Sequence, residues 1–380
     1  MKFAKAASVM EHFINTKEEN GASLVVTRHG IPVFTKSSGC ADVEKGTPFT
    51  EDTICRIYSC TKLATGVACM MLMERGLLDV GERLEVYLPE FENPYFIRDG
   101  KKIQSPSIRI RDLLNMTSGI PYPGEGTEGI EGTNELWYRL DQSIRDGNSM
   151  STRGFARGVA KNPLMFSAGD HWMYGASADV LGAVVEVISG MPFAEFLEKE
   201  IFRPLGMTDT AFYVPKEKRD RLGVLYDSAG ENPTRPDQVN LCIYDFEELP
   251  AFQSGGAGLF STARDYAKLG AVLSFGHSGI LNRRTVDFMR ENGLSPFQRT
   301  GFDWESLWGY GYGNLVRCVE NRNLAGTLAT EGAFGWDGWT GTYVLVDPAE
   351  ELSITLFLQR ANSGTTRMSR GVVNAVYGDL

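Results

Sequence analysis

Strand-forming sequence sits at both ends of this chain and helix-forming sequence fills its middle, which restricts the topologies available to it. SLVVTRHG and IPVFTKSS (23–38) are two β-rich runs hinged at His29-Gly30, the pattern of a hairpin. Near the other end, YVLVDP (343–348) and LSITLFLQ (352–359) flank Ala349-Glu350-Glu351 as a second hairpin. An amphipathic helix is predicted before the first hairpin, with Phe3, Ala7, Met10, Phe13 and Ile14 on one face. Another is predicted after the second, from the spacing of Met368, Val372 and Val376. The middle carries helical patterns at 59–78, 178–189 (stopped by Gly190) and 192–202 (stopped by Pro204), and a glycine- and glutamate-rich stretch at 118–135 predicts an exposed loop. The expected layout is an α+β domain formed by 1–80 and 250–380, in which both termini meet in one mixed sheet, interrupted by a mainly helical domain at 81–249.

Composition narrows the function. Among 380 residues, 48 acidic side chains outnumber 38 basic ones, for a net charge of −10. That balance disfavours nucleic-acid partners and anionic membranes. Six cysteines show no C-x-x-C spacing, and His12, His29, His171 and His277 are scattered, so neither a metal site nor a cofactor is expected. The N-terminal segment is interrupted by Lys5, Glu11 and His12 and lacks the apolar run of a secretory signal, and no stretch approaches membrane-spanning length. These features predict a soluble cytoplasmic protein with reduced thiols.

Three segments carry possible chemistry. Ser59-Cys60-Thr61-Lys62 is an S-x-x-K at the first turn of the 59–78 helix, which places hydroxyl and amine on one face. A serine hydroxyl becomes a competent nucleophile when a neighbouring base takes its proton, and a lysine kept neutral by burial is such a base. Taken alone, the motif is equally met by Ser59 as a helix cap and Lys62 as a solvated side chain. Tyr174, in HWMYGASADVLG, precedes the 178–189 helix; it suits either a proton relay or an ordinary half-buried tyrosine. Gly335-Trp336-Asp337-Gly338-Trp339-Thr340-Gly341 enters the strand YVLVDP, where glycines permit close backbone approach or simply make a turn. Gly124-Glu125-Gly126-Thr127-Glu128-Gly129 fits G-x-G-x-x-G, but no strand precedes it and glutamates stand where a pyrophosphate would lie, so it is not a nucleotide site. The absence of G-x-S-x-G argues against an α/β-hydrolase triad.

In their order and surroundings the three segments resemble the serine β-lactamase and penicillin-binding-protein-like family. RIYSCTKLATGVACMMLMERGLLDVGERLEVYLPEF (56–91), RDLLNMTSGIPYP (111–123), the stretch 166–212 and SGGAGLFSTARDYAKL (254–269) carry that resemblance over nearly the whole chain. The nearest branch resembles class C β-lactamases and family VIII carboxylesterases. The resemblance implies a β-lactamase/transpeptidase-like fold with the site in the cleft between sheet and helical domain. It further implies Ser59 as acylated nucleophile, Lys62 as its proton partner, Tyr174 as second acid/base, and the backbone N–H groups of Ser59 and Trp339 as oxyanion hole.

Two departures from the family pattern bear on substrate. Its Tyr-x-Asn is here Tyr174-Gly175-Ala176, so a substrate-facing amide is missing at Ala176. Its Lys-Thr-Gly or His-Thr-Gly is here Trp336-Asp337-Gly338, an indole and a carboxylate in place of a cation. Asp337, with Glu125, Glu128 and Glu131 if their loop covers the cleft, is expected to repel anionic substrates such as β-lactams and peptide carboxylates. Trp336, Trp339 and Tyr122 are expected as aromatic walls. The predicted activity is a serine hydrolase of esterase type on a small neutral acyl compound. The rival expectations are an amidase, D-aminopeptidase or β-lactamase on the same site, and an inactive binding module on the same scaffold.

Overall fold

The computed structural model describes residues 3–236, 239–275 and 279–380, so His277 lies outside the described residues. Its centre is an eight-stranded sheet. In spatial order the strands are Thr47–Pro48, Ile31–Asp42, Gly21–Arg28, Leu352–Leu358, Tyr343–Asp347, Phe334–Asp337, Val316–Val319 and Tyr310–Gly313. Every pairing is antiparallel. The two terminal hairpins meet at the sheet's middle, where Leu24 pairs with Leu356 and Val26 with Ile354.

Alternation along the strands sorts side chains onto two faces. Leu24, Val26, Leu352, Ile354 and Leu356 pack against the terminal helices Ala4–Asn15 and Arg367–Tyr377 through Met10, Phe13, Met368 and Val372. The opposite face, with Val25, Val344, Val346 and Phe357, joins the larger core. Both faces are covered, so the central strands Gly21–Arg28 and Leu352–Leu358 are buried along nearly their whole length, and their polar positions Ser23, Thr27, Ser353 and Thr355 are small and buried too. The larger core also takes in the helices Thr61–Glu74 and Ser177–Ser189, wholly buried along most of their length.

Two element boundaries differ from expectation. Helix Glu131–Arg145 begins inside the stretch assigned to loop. The helix after Pro192 runs Phe193–Leu197, widens into a π turn over Glu198–Phe202 and continues through Pro204 to Leu205. The widened turn relieves the ladder at the proline.

Candidate active site

Ser59 lies in a one-turn 3-10 helix, Tyr58–Cys60, immediately ahead of helix Thr61–Glu74. Tyr58 has φ of 40°, a left-handed conformation that a non-glycine residue adopts at a cost. Its neighbours hold it there. Thr340 and Thr342 donate hydroxyl hydrogen bonds of 2.7 and 3.0 Å to the carbonyls of Arg56 and Ile57, and the Tyr58 ring packs 5.0 Å from Trp339. Gly338 is required at this junction: a Cβ there would stand 2.3 Å from the Ile57 carbonyl oxygen.

One helical turn on, Lys62 Nζ sits 3.1 Å from Ser59 Oγ, 3.1 Å from Tyr122 Oη and 2.8 Å from the Gly256 carbonyl oxygen. Among the described residues no carboxylate touches this ammonium, and its residue is 0% exposed. Burial therefore pulls its pKa down to about 7, with Asp179, Cys60 and Asp337 opposing the fall only in part. Asp179 is itself fully buried in helix Ser177–Ser189. Its Oδ1 accepts from the Ser254 hydroxyl and, at 3.1 Å, from the Gly256 N–H, while Oδ2 has no partner among the described residues. Gly256 leaves the room for this arrangement: a Cβ would meet Tyr122 Oη at 2.5 Å and Asp179 Oδ2 at 2.7 Å.

Tyr174 approaches from the stretch before Ser177–Ser189. Its ring lies 4.5 Å from Lys62 Nζ and stacks on Trp336, centroids 5.5 Å apart. The Trp336 indole donates a 3.0 Å hydrogen bond to Tyr174 Oη. That bond uses the phenol as acceptor and leaves its proton free toward Ser59. Burial raises the phenol's pKa far above its ordinary range, and the neighbouring Ser59 hydroxyl and Trp336 indole offset only part of the rise. The phenol stays neutral at physiological pH.

Ser59, Tyr174, Trp304, Trp336, Asp337 and Trp339 line a common cavity of about 400 Å³. A larger cavity of about 600 Å³, lined by Arg56, Tyr58 and Tyr244 among others, holds none of the three groups Ser59, Lys62 and Tyr174. Among the described residues, neither the Ser59 nor the Trp339 backbone N–H has a protein acceptor. The chain matches the family model described as Beta-lactamase over residues 6–377. It belongs to the beta-lactamase family. It is 30% identical over 383 residues to Esterase EstB of Burkholderia gladioli, covering 95% of this chain and 91% of that protein. It is 29% identical over 405 residues to the lovastatin esterase of Penicillium rubens, covering 97% and 92%. Among solved structures it superposes on EstCE1, a hydrolase with promiscuous acyltransferase activity, with a TM-score of 0.80, 28% identity and 98% of both chains covered. This beta-lactamase-family chain thus has the antiparallel sheet, flanking helices and helical region of the β-lactamase/transpeptidase-like fold.

Ala176, Gly338 and Tyr122, the other candidates for substrate contact, are not among the Ser59 cavity's lining residues. Ala176 is 1% exposed and spends its carbonyl on the first turn of the next helix. Gly338 spends its N–H on the Thr342 carbonyl. Tyr122 presents its hydroxyl to Lys62 and is absent from the lining of the cavity that holds Ser59. The expected acidic repulsion also changes form. Glu128 accepts from the Gly100 N–H, and Glu125 and Glu131 are likewise not among the cavity's lining residues. Asp337 does line it, but Arg317 Nη1 bonds its Oδ2 at 2.9 Å, so the carboxylate is charge-compensated. Sequence reasoning passed over Asp179 and Arg317. The available signal was a lone charge inside an otherwise apolar run, ADVLGAVV and NLVRCV.

Proposed function

We propose that this family member is a serine carboxylesterase acting on neutral acyl esters through an acyl-enzyme at Ser59. The observation that carries this reading is the 3.1 Å contact between Ser59 Oγ and a lysine that burial has brought to a pKa of about 7. Near neutral pH a large share of Lys62 is an amine with a lone pair. The Gly256 carbonyl can only accept, so it takes one Lys62 N–H; Tyr122 Oη takes a second, and the lone pair faces the Ser59 proton.

Ser59 Oγ attacks the ester carbonyl as its proton passes to Lys62 Nζ. The carbonyl oxygen takes the negative charge between the N–H groups of Ser59 and Trp339. Collapse of this intermediate expels the alcohol as alkoxide, which receives a proton from the Tyr174 phenol, itself resupplied from Lys62. Water then attacks the acyl-enzyme, giving its proton back through the same pair, and the carboxylic acid leaves with Ser59 restored.

The preference for neutral substrates rests on the cavity's charge. No lysine or arginine is among its lining residues, and its one carboxylate is paired with Arg317. A substrate carboxylate would be desolvated there without a partner. The relatives named as esterases support the same reaction class.

The test is intact-mass labelling with a fluorophosphonate, alongside hydrolysis of p-nitrophenyl butanoate. Wild type is expected to gain one adduct and to turn over the ester. Ser59→Ala is expected to do neither while keeping its fold. Equal labelling of Ser59→Ala would remove the nucleophile from this position.

A further inference from the structure

Asp337 ends strand Phe334–Asp337, and its two carboxylate oxygens have different surroundings. Oδ2 accepts from Arg317 Nη1 at 2.9 Å and from the Thr365 hydroxyl. Thr365 Oγ1 in turn accepts from Arg317 Nη2 at 2.9 Å, which closes a three-membered network. Arg317 is 3% exposed and packs against the rings of Trp336, Tyr310 and Tyr343, so this end of the carboxylate is fixed. Oδ1 has no protein donor among the described residues, yet Asp337 lines the same cavity as Ser59. Gly364 lies across from it, and even a Cβ there would come no closer than 3.9 Å to Oδ1.

A carboxylate held rigid at one oxygen and open at the other, with its charge already balanced, is built to accept a hydrogen bond rather than to attract a cation. We propose that Asp337 Oδ1 is a specificity-determining acceptor, and that the preferred esters carry an uncharged hydroxyl or amide N–H donor on the acyl or alcohol part. The inference rests on the esterase reading of this same cavity and names its substrate class. A plain alkyl ester leaves Oδ1 solvated. A hydroxylated one replaces that water with a fixed bond that persists into the transition state. An ether in place of the hydroxyl presents only lone pairs to a carboxylate and is disfavoured.

The experiment uses two matched series. The acyl series is p-nitrophenyl butanoate, 3-hydroxybutanoate and 3-methoxybutanoate. The alcohol series is the butanoates of ethylene glycol and of its monomethyl ether. In wild type the hydroxyl member of at least one series is expected to exceed its methoxy partner in kcat/KM by about tenfold. In Asp337→Asn, Arg317 orients the amide oxygen inward and turns the NH2 toward the cavity, so an acceptor becomes a donor. The hydroxy-to-methoxy ratio is then expected to fall within about threefold. Being a ratio on one enzyme sample, it does not depend on the fraction folded. Parity in both wild-type series, with p-nitrophenyl butanoate still hydrolysed, overturns this proposal and leaves the esterase reading intact. So does a wild-type preference that survives unchanged in Asp337→Asn. No hydrolysis of any member and no label on Ser59 overturns both.

Discussion

Two buried cations flank one pair of stacked rings: Lys62 Nζ lies 4.5 Å from the Tyr174 ring centre, and the Arg317 guanidinium 5.4 Å from that of Trp336. Both residues are almost wholly inaccessible. Their contacts differ in one respect. Lys62 touches two hydroxyls and a carbonyl, none of them charged, and burial brings it to a pKa of about 7. Arg317 suffers the same burial, but Asp337 foremost, with Tyr343 and Tyr310, more than offsets it and holds the guanidinium above its already high ordinary value. A cation buried beside neutral oxygens becomes a base, and one buried against a carboxylate becomes a structural post.

The comparison is most directly broken at Lys62. Lys62→Met keeps the side chain's length and removes the amine, so kcat/KM for p-nitrophenyl butanoate is expected to fall by about 10³-fold or more. Its urea midpoint should fall less than that of Arg317→Met, because Lys62 touches no carboxylate directly, although the Gly256 carbonyl loses its donor. Activity within tenfold of wild type would mean that Lys62 is not the proton acceptor.

Arg317→Met should do the reverse. It strands a largely buried Asp337 carboxylate and removes a cation from three aromatic faces, at a cost of about 3 kcal/mol in urea unfolding. The protein that remains folded should retain kcat/KM within about tenfold, since Arg317 does not touch Ser59 or Lys62. If Arg317→Met left the urea midpoint unmoved, the post assigned here would not exist.

How much of this was legible in the sequence follows from the range of each interaction. The terminal hairpins and the Ser59–Lys62 spacing are local, so apolar runs and a helical turn suffice to place them. The joining of 23–38 to 343–359 in one sheet was legible because both ends carried strand pairs in need of partners. Arg317 and Asp337 stand 20 residues apart and meet because Gly335 pairs with Arg317 across two strands, a register that no spacing rule specifies. Without that pairing Asp337 looked like a free negative charge. Tyr122 looked like a wall because an aromatic ring advertises its face, whereas its position here is set by where its hydroxyl ends. Trp336 is among the cavity's lining residues, and its indole N–H also donates to the phenol of Tyr174.

The smallest effect is the most diagnostic of why Lys62 and Arg317 differ. In the proposed mechanism Lys62 takes a proton only when unprotonated, so kcat/KM should be level above about pH 7 and fall tenfold per unit below it. Asp179 acts against burial by favouring the protonated amine. Burial raises Asp179's own pKa, yet the donors from Ser254 and Gly256 on its Oδ1 favour the charged carboxylate. Asp179→Asn removes that negative charge, so Lys62 should release its proton more readily. The acidic limb should then move down by about one pH unit, with the plateau changed far less. A purely structural Asp179 would lower the plateau through misfolding and leave the limb in place. An unmoved limb with the plateau intact would mean that Asp179 is neutral in the folded protein and that the contrast with Arg317 rests on hydrogen bonding rather than charge.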